Sequence, residues 1–103
     1  NYPNVKHIIS DMLTYKYTGQ EQVIICTSCE HIGKDSVQKL IDNAPKNCLI
    51  ILQSNNFFRI HDHINCVNNI EEFKQQVQDC KILRAGSFDV GPYTRFMIFC
   101  IKY

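Results

Sequence analysis

A thiol, a carboxylate and an imidazole stand side by side in the segment Thr27-Ser28-Cys29-Glu30-His31, directly after the apolar run Val23–Cys26. Glu30 and His31 can accept a proton from a reacting group, and the hydroxyls of Thr27 and Ser28 can orient one. Ligands of open α/β sheets bind at the carboxyl ends of the strands, which is where this segment would lie. The segment therefore predicts a substrate pocket. The alternative is that Thr27 or Ser28 only caps the following helix and that Glu30 and His31 are solvated.

Two other chemistries use the same residue types. Cys26 and Cys29 form a Cys-x-x-Cys pair between a predicted strand and a predicted helix, where a thioredoxin-like redox site would stand. Cys26 continues the apolar run, however, and the order of elements fits that fold poorly. A zinc site is the other alternative, with candidate ligands His61, His63 and Cys66, joined by Cys29 and His31. Their spacing matches no standard zinc finger, so we predict neither a redox pair nor a bound metal.

Short apolar runs that alternate with helical patterns predict an α/β fold. Val37, Leu40 and Ile41 have helical spacing, and Asn69 is suited to cap a second helix whose first turn is acidic. The last two strands flank a Gly-Pro turn and predict an antiparallel hairpin. The predicted strands are Val5–Ile9, Val23–Cys26, Cys48–Leu52, Lys81–Phe88 and Tyr93–Tyr103; the predicted helices are Lys34–Asn43 and Ile70–Cys80. We expect one Rossmann-like domain over residues 1–103, with helices packed on a mostly parallel sheet and a long, functional loop over 57–69.

Length and composition limit the classes of protein to which this chain could belong. The 103 residues suffice for one small domain, and their formal charge of +1 argues against nucleic acid as a partner. The apolar runs are too short to cross a bilayer, so we expect no membrane association. Several of the six cysteines lie inside apolar runs, which indicates reduced thiols and a cytoplasmic location. The chain does not begin with methionine and has no signal peptide, so we expect a processed N-terminus or a piece of a longer protein.

Five strings, taken in order, resemble the C-terminal portion of a class I S-adenosylmethionine-dependent methyltransferase: IISDMLTY, VIICTSCEHI, LIILQSNN, HDHINC and YTRFMIF. The TSCEH and QSNN strand ends are the more specific of these, and together the strings span nearly the whole chain. In that family the sheet order is 3-2-1-4-5-7-6. The resemblance implies that this chain supplies strands 3, 4, 5, 6 and 7.

The resemblance also implies roles for individual residues. Asp11 and Met12 would bind the adenine end of S-adenosylmethionine, and Thr27 would belong with them to the cofactor site. Glu30 or His31 would act as the catalytic base. The implied acceptor-binding residues are Ser28, Cys29, Gln53, Asn55, His61 and His63. The methyl acceptor itself is not indicated.

One part of the family pattern is absent from the sequence. The glycines are Gly19, Gly33, Gly86 and Gly91, and no two are close enough to form the glycine-rich loop that holds the cofactor. Without the strands between 3 and 4, an unpaired edge would lie inside the sheet. We therefore expect a homodimer or a complementing chain or segment, and weak cofactor binding by these residues alone. The alternatives are a non-catalytic module that completes a partner's sheet and a thiol or zinc protein.

Overall fold

The computed structural model describes residues 23–103, and the predicted strand Val5–Ile9, with Asp11 and Met12, lies outside them. Four strands, two α-helices and a 3-10 helix form in this part of the chain. The strands are β1 (Val23–Cys26), β2 (Leu49–Asn55), β3 (Cys80–Asp89) and β4 (Thr94–Lys102); the helices are α1 (Lys34–Asn43) and α2 (Ile70–Lys74), with the 3-10 helix at Cys29–His31.

The sheet has the strand order β1-β2-β4-β3, which is the order of the last four strands in the methyltransferase sheet. β1 and β2 are parallel, whereas β4 runs antiparallel to both β2 and β3. The prediction of a mostly parallel sheet is therefore wrong for the described residues, where one of the three pairings is parallel. The reason is that β4 enters between β2 and β3 from the final hairpin, so it reverses direction against both neighbours.

Alternating side chains of the sheet build a core on one face only. Ile24, Ile50, Leu52 and Ile98 are buried under the helices, together with Phe73 of α2. Each such side chain contributes about 1.5–3 kcal/mol when it leaves water. On the opposite face, Val23 and Ile25 of β1 are exposed and their neighbours on β2 and β4 are only half-buried. Within residues 23–103, one face of the sheet is thus well covered and the other is open.

Most predicted elements form, and two of them differ clearly in their bounds. β2 runs on through Gln53, Ser54 and Asn55 because these residues pair with Met97, Phe96 and Arg95 of β4. The second helix stops at Lys74, and the backbone amides of residues 75–77 each donate to the carbonyl three residues earlier. The hairpin β3–β4 is confirmed; its turn contains Gly91 at φ 103°, a conformation that glycine tolerates best. Within residues 23–103, neither helix is long and apolar enough to span a membrane.

Candidate functional site

The parallel strands β1 and β2 end at the same edge of the sheet, and polar side chains gather there. The 3-10 helix Cys29–His31 follows β1 after two residues, and the loop 56–69 follows β2. The backbone amide of Asn65 donates to the carbonyl of Glu30 at 3.0 Å, so the far end of this loop returns to the 3-10 helix. Side chains from three separate segments therefore meet at one edge, as the sequence predicts for a ligand site.

Glu30 is the buried acid of this site. Its side chain is only 4% exposed, and Asn55 Nδ2 donates to Glu30 Oε1 at 3.1 Å. Glu30 Oε2 is buried and has no hydrogen-bond partner among residues 23–103. A buried carboxylate oxygen without a partner costs free energy, so the fold retains a group here that does not stabilise it.

Asn55 holds the carboxylate in place and is itself fixed on both sides. It is 2% exposed, and its Oδ1 accepts from the backbone amide of Phe57 at 3.1 Å and from Cys66 Sγ at 3.4 Å. Its amide group can therefore present only its nitrogen to Glu30. The orientation of the acid is set by the end of β2 and the loop that follows.

Two imidazoles flank Glu30. The rings of His31 and His63 meet edge to face with centroids 4.6 Å apart. His31 Nδ1 lies 3.1 Å from the carbonyl of Asp62, and His63 Nδ1 lies 2.9 Å from the carbonyl of Phe57. A carbonyl accepts and cannot donate, so Nδ1 carries the proton in both rings, and in the neutral ring Nε2 keeps its lone pair.

The loop 56–69 is held in place by side-chain contacts near both of its ends. Asn65 and Gln76 exchange a reciprocal pair of amide hydrogen bonds at 2.8 and 2.9 Å, and Asn65 Nδ2 also donates to the carbonyl of Cys29 at 3.3 Å. At the other end, the ring of Phe57 stacks on Tyr93 with centroids 4.8 Å apart. The His63 ring is consequently carried on a loop held at both ends.

Arg95 of β4 ties the strand ends together from the open face. Its Nε and Nη2 donate to Gln53 Oε1 at 3.1 and 2.9 Å, and Nη2 donates to the carbonyl of Thr27 at 2.9 Å. Arg95 is half-buried and donates three hydrogen bonds. It fixes where the chain leaves β1, which in turn fixes the segment that carries Glu30.

The thiols of Cys26 and Cys29 pack against each other in the core. The Cys29 thiol donates to Cys26 Sγ at 3.7 Å, and this bond lowers the pKa of Cys26 to about 7. The same bond, together with burial, raises the pKa of Cys29. Both side chains are almost completely buried, whereas catalytic thiols are accessible, so the geometry does not favour a redox pair.

The structure brings together four of the predicted site residues: Glu30, His31, Asn55 and His63. Cys29 is fully buried, so its side chain packs in the core and does not face a substrate. Gln53 is bound by Arg95, and the exposed residues Thr27, Ser28 and His61 lie around the site. Sequence reasoning missed Asn65 and Arg95, because a lone amide in a loop and a lone cation in a strand carry no distinguishing pattern.

A cleft of about 420 Å³ adjoins the site between α1 and α2. Polar side chains line it, including Gln38, Asn65, Cys66 and Gln76. Asn65 and Cys66 thus belong both to the loop that carries His63 and to the wall of this cleft.

Comparisons with known proteins show a fold likeness and no sequence family. No family model matches the chain, and no curated protein matches it. Among solved structures, the chain is similar to the N-methyltransferase NodS from Bradyrhizobium japonicum WM9, with a TM-score of 0.63 over 90% of this chain and 7% sequence identity. The chain spans 57% of the length of that protein. At this identity the likeness shows the fold alone: residues 23–103 form a small α/β domain with a mixed four-stranded sheet that resembles part of a methyltransferase.

Proposed function

We propose that this chain is part of the catalytic domain of a class I S-adenosylmethionine-dependent methyltransferase and carries the acceptor side of its active site. The observation that supports this most is the meeting of Glu30, His31, Asn55 and His63 at the carboxyl ends of two adjacent parallel strands. The fold likeness to an N-methyltransferase and the strand order β1-β2-β4-β3 support the same class.

Methyl transfer is an in-line displacement, so the protein must place the nucleophile and take up its proton. Glu30 is held by Asn55 and has one oxygen free to accept, and His31 is exposed beside it. One of these two residues would remove the proton from an amine or hydroxyl acceptor. His63, carried on the fastened loop, would orient that acceptor.

The cofactor part of the proposal rests on fewer residues. Thr27, with Asp11 and Met12, would contact S-adenosylmethionine, but the latter two lie outside the described residues. The glycine-rich loop would come from another segment or from a partner, either a second copy or a complementing chain. Among residues 23–103 β1 is an edge strand, and the missing part would join the sheet along its free edge. Reduced thiols would place the protein in the cytoplasm.

The test uses the complete polypeptide that contains this chain and S-adenosylmethionine with a labelled methyl group, offered with a panel of amine and hydroxyl acceptors. We expect the replacement of the true base, by Glu30→Gln or His31→Ala, to lower kcat by about 10² or more. Cofactor affinity should change little, since neither residue would hold the cofactor. Glu71→Gln, on the exposed side of α2, is the matched control.

Two outcomes would contradict the proposal. One is label transfer that neither Glu30→Gln nor His31→Ala slows. The other is a complete polypeptide that fails to bind S-adenosylmethionine by calorimetry. The 103 residues alone should bind it weakly or not at all, so tight binding by the isolated chain would contradict the expectation that the cofactor loop lies elsewhere.

A second candidate is a non-catalytic module that completes a partner's sheet. The specific observation in its favour is that β1 is an edge strand among residues 23–103 and exposes Val23 and Ile25. This module would bind its partner equally well after Glu30→Gln, whereas the transferase would lose activity.

A further inference from the structure

We propose that Glu30, His31 and His63 form a binding site for one divalent transition-metal ion of the zinc type. One ligand atom from each residue lies within 4.8 Å of the other two. A tetrahedral zinc ion holds its ligand atoms roughly 3.3 Å apart, so the three groups need to close by at most about 1.5 Å. His31 is exposed and His63 is only half-buried, so their side chains have room for this closure.

In both imidazoles the Nδ1 nitrogen is already hydrogen-bonded, which suits the ring for binding a metal through Nε2. In each ring Nδ1 bonds to a backbone carbonyl, of Asp62 for His31 and of Phe57 for His63. Zinc-binding histidines commonly donate the other ring N–H to a carbonyl or carboxylate, which fixes the tautomer and the ring orientation. Here both rings have this arrangement and keep the lone pair of Nε2 for a ligand.

Glu30 supplies an independent observation that points to a cation. Glu30 is only 4% exposed, and its Oε2 has no hydrogen-bond partner in the part of the chain that the structure describes. A nearby positive charge would stabilise a carboxylate in this position. No Lys or Arg side chain within residues 23–103 forms a salt bridge with Glu30. The ion pair in this part of the chain joins Lys74 and Glu71. A metal ion between Glu30 and the two imidazoles would provide the charge.

The ligand atoms of this site indicate which kind of metal ion would bind. Two imidazole nitrogens with one carboxylate oxygen suit zinc and neighbouring first-row ions better than magnesium or calcium, which prefer oxygen ligands. Three protein ligands leave a fourth position open, as catalytic zinc sites do. The metal site does not rest on the proposed methyl transfer, but it would change how that reaction proceeds. A bound ion would polarise the acceptor. Glu30 and His31 would then act as metal ligands and not as the catalytic base.

Calorimetric titration of zinc into the chelator-treated, reduced chain tests the proposal. We expect one zinc ion per chain, and about tenfold or greater loss of affinity in both His31→Ala and His63→Ala. His61→Ala should stay within about threefold of the parent, because His61 lies outside the cluster. Circular dichroism of each variant establishes that it is folded; His31 is exposed, so its replacement should leave the fold intact.

Cobalt absorbance is the second readout, because thiolate ligands give an intense near-ultraviolet band that a Glu-His-His site lacks. A chain that binds no zinc would overturn the proposal. So would retention of affinity in His31→Ala or His63→Ala, or a thiolate band that disappears in Cys66→Ser. The last result would assign the metal to a site in the loop formed by His61, His63 and Cys66. A parent chain that binds no zinc, in a complete polypeptide that still transfers the labelled methyl group, would refute the metal site and leave the proposed function standing.

Discussion

Glu30→Gln should make the metal-free protein more stable. A carboxylate that moves from water to a protein interior loses several kcal/mol of solvation, even after the protein relaxes around it. Glu30 receives one hydrogen bond, from Asn55, and a hydrogen bond to a charged acceptor returns about 1.5–3 kcal/mol. Its second oxygen receives none. The carboxylate therefore carries a net cost in the folded state.

Glutamine keeps the shape of the side chain and the acceptor for Asn55, but it has no charge to desolvate. Its buried amide nitrogen replaces Oε2 and costs about 1–3 kcal/mol if it finds no acceptor. The balance predicts that the free energy of unfolding rises by about 1–2 kcal/mol. For a domain of this size each kcal/mol raises Tm by about 4–8 °C.

Urea unfolding followed by circular dichroism, in the presence of a metal chelator, measures this change. Glu71→Gln is the control, since Glu71 is exposed and its replacement should alter stability by about 0.5 kcal/mol at most. If Glu30→Gln instead destabilises the protein by more than about 1 kcal/mol, Glu30 is a structural partner and not a functional group kept at a cost. The reasoning for both proposals would then lose its main support.

Three further predictions concern stability and thiol chemistry. Asn69→Ala should destabilise the protein by about 1 kcal/mol in urea unfolding, because Asn69 Oδ1 caps α2 through the amide of Glu72 at 2.8 Å; an unchanged midpoint would refute this role. Arg95→Ala should lower the free energy of unfolding by about 1–2 kcal/mol. Arg95→Lys should recover only part of this loss, since lysine cannot reach both Gln53 and Thr27 as the guanidinium does. Full recovery of stability in the lysine variant would contradict this geometry. In the native protein Cys66 and Cys80 should be the first cysteines to react with a thiol reagent, because the other four are buried. Burial raises the pKa of both thiols, so they should react more slowly than a free thiol at neutral pH and faster as the pH rises above 9. Rapid reaction of both at neutral pH would be inconsistent with this.

The sequence predicted the elements with regular patterns and the edge of the sheet at which Glu30, His31 and Asn55 lie together. Val37, Leu40 and Ile41 are buried in α1 as their spacing indicates, and the Gly-Pro turn forms the hairpin. These features depend on local periodicity and turn chemistry, which short stretches of sequence contain.

The parts that the sequence did not predict depend on distant pairings. Asn55 looks like a turn residue in isolation, yet it is a buried strand residue because Arg95 of β4 pairs with it. The direction of β4 against β2 likewise follows from where the hairpin returns, which no local pattern encodes. Asn65 and Gln76 are eleven residues apart, and only the tertiary fold brings their amides into contact.

That amide pair fastens one end of the loop through a contact that the surrounding medium hardly affects. Asn65 and Gln76 carry no charge and do not titrate, so salt and acid leave this fastening almost untouched. This end of the loop should therefore stay in place when the ionic strength or the pH of the medium changes.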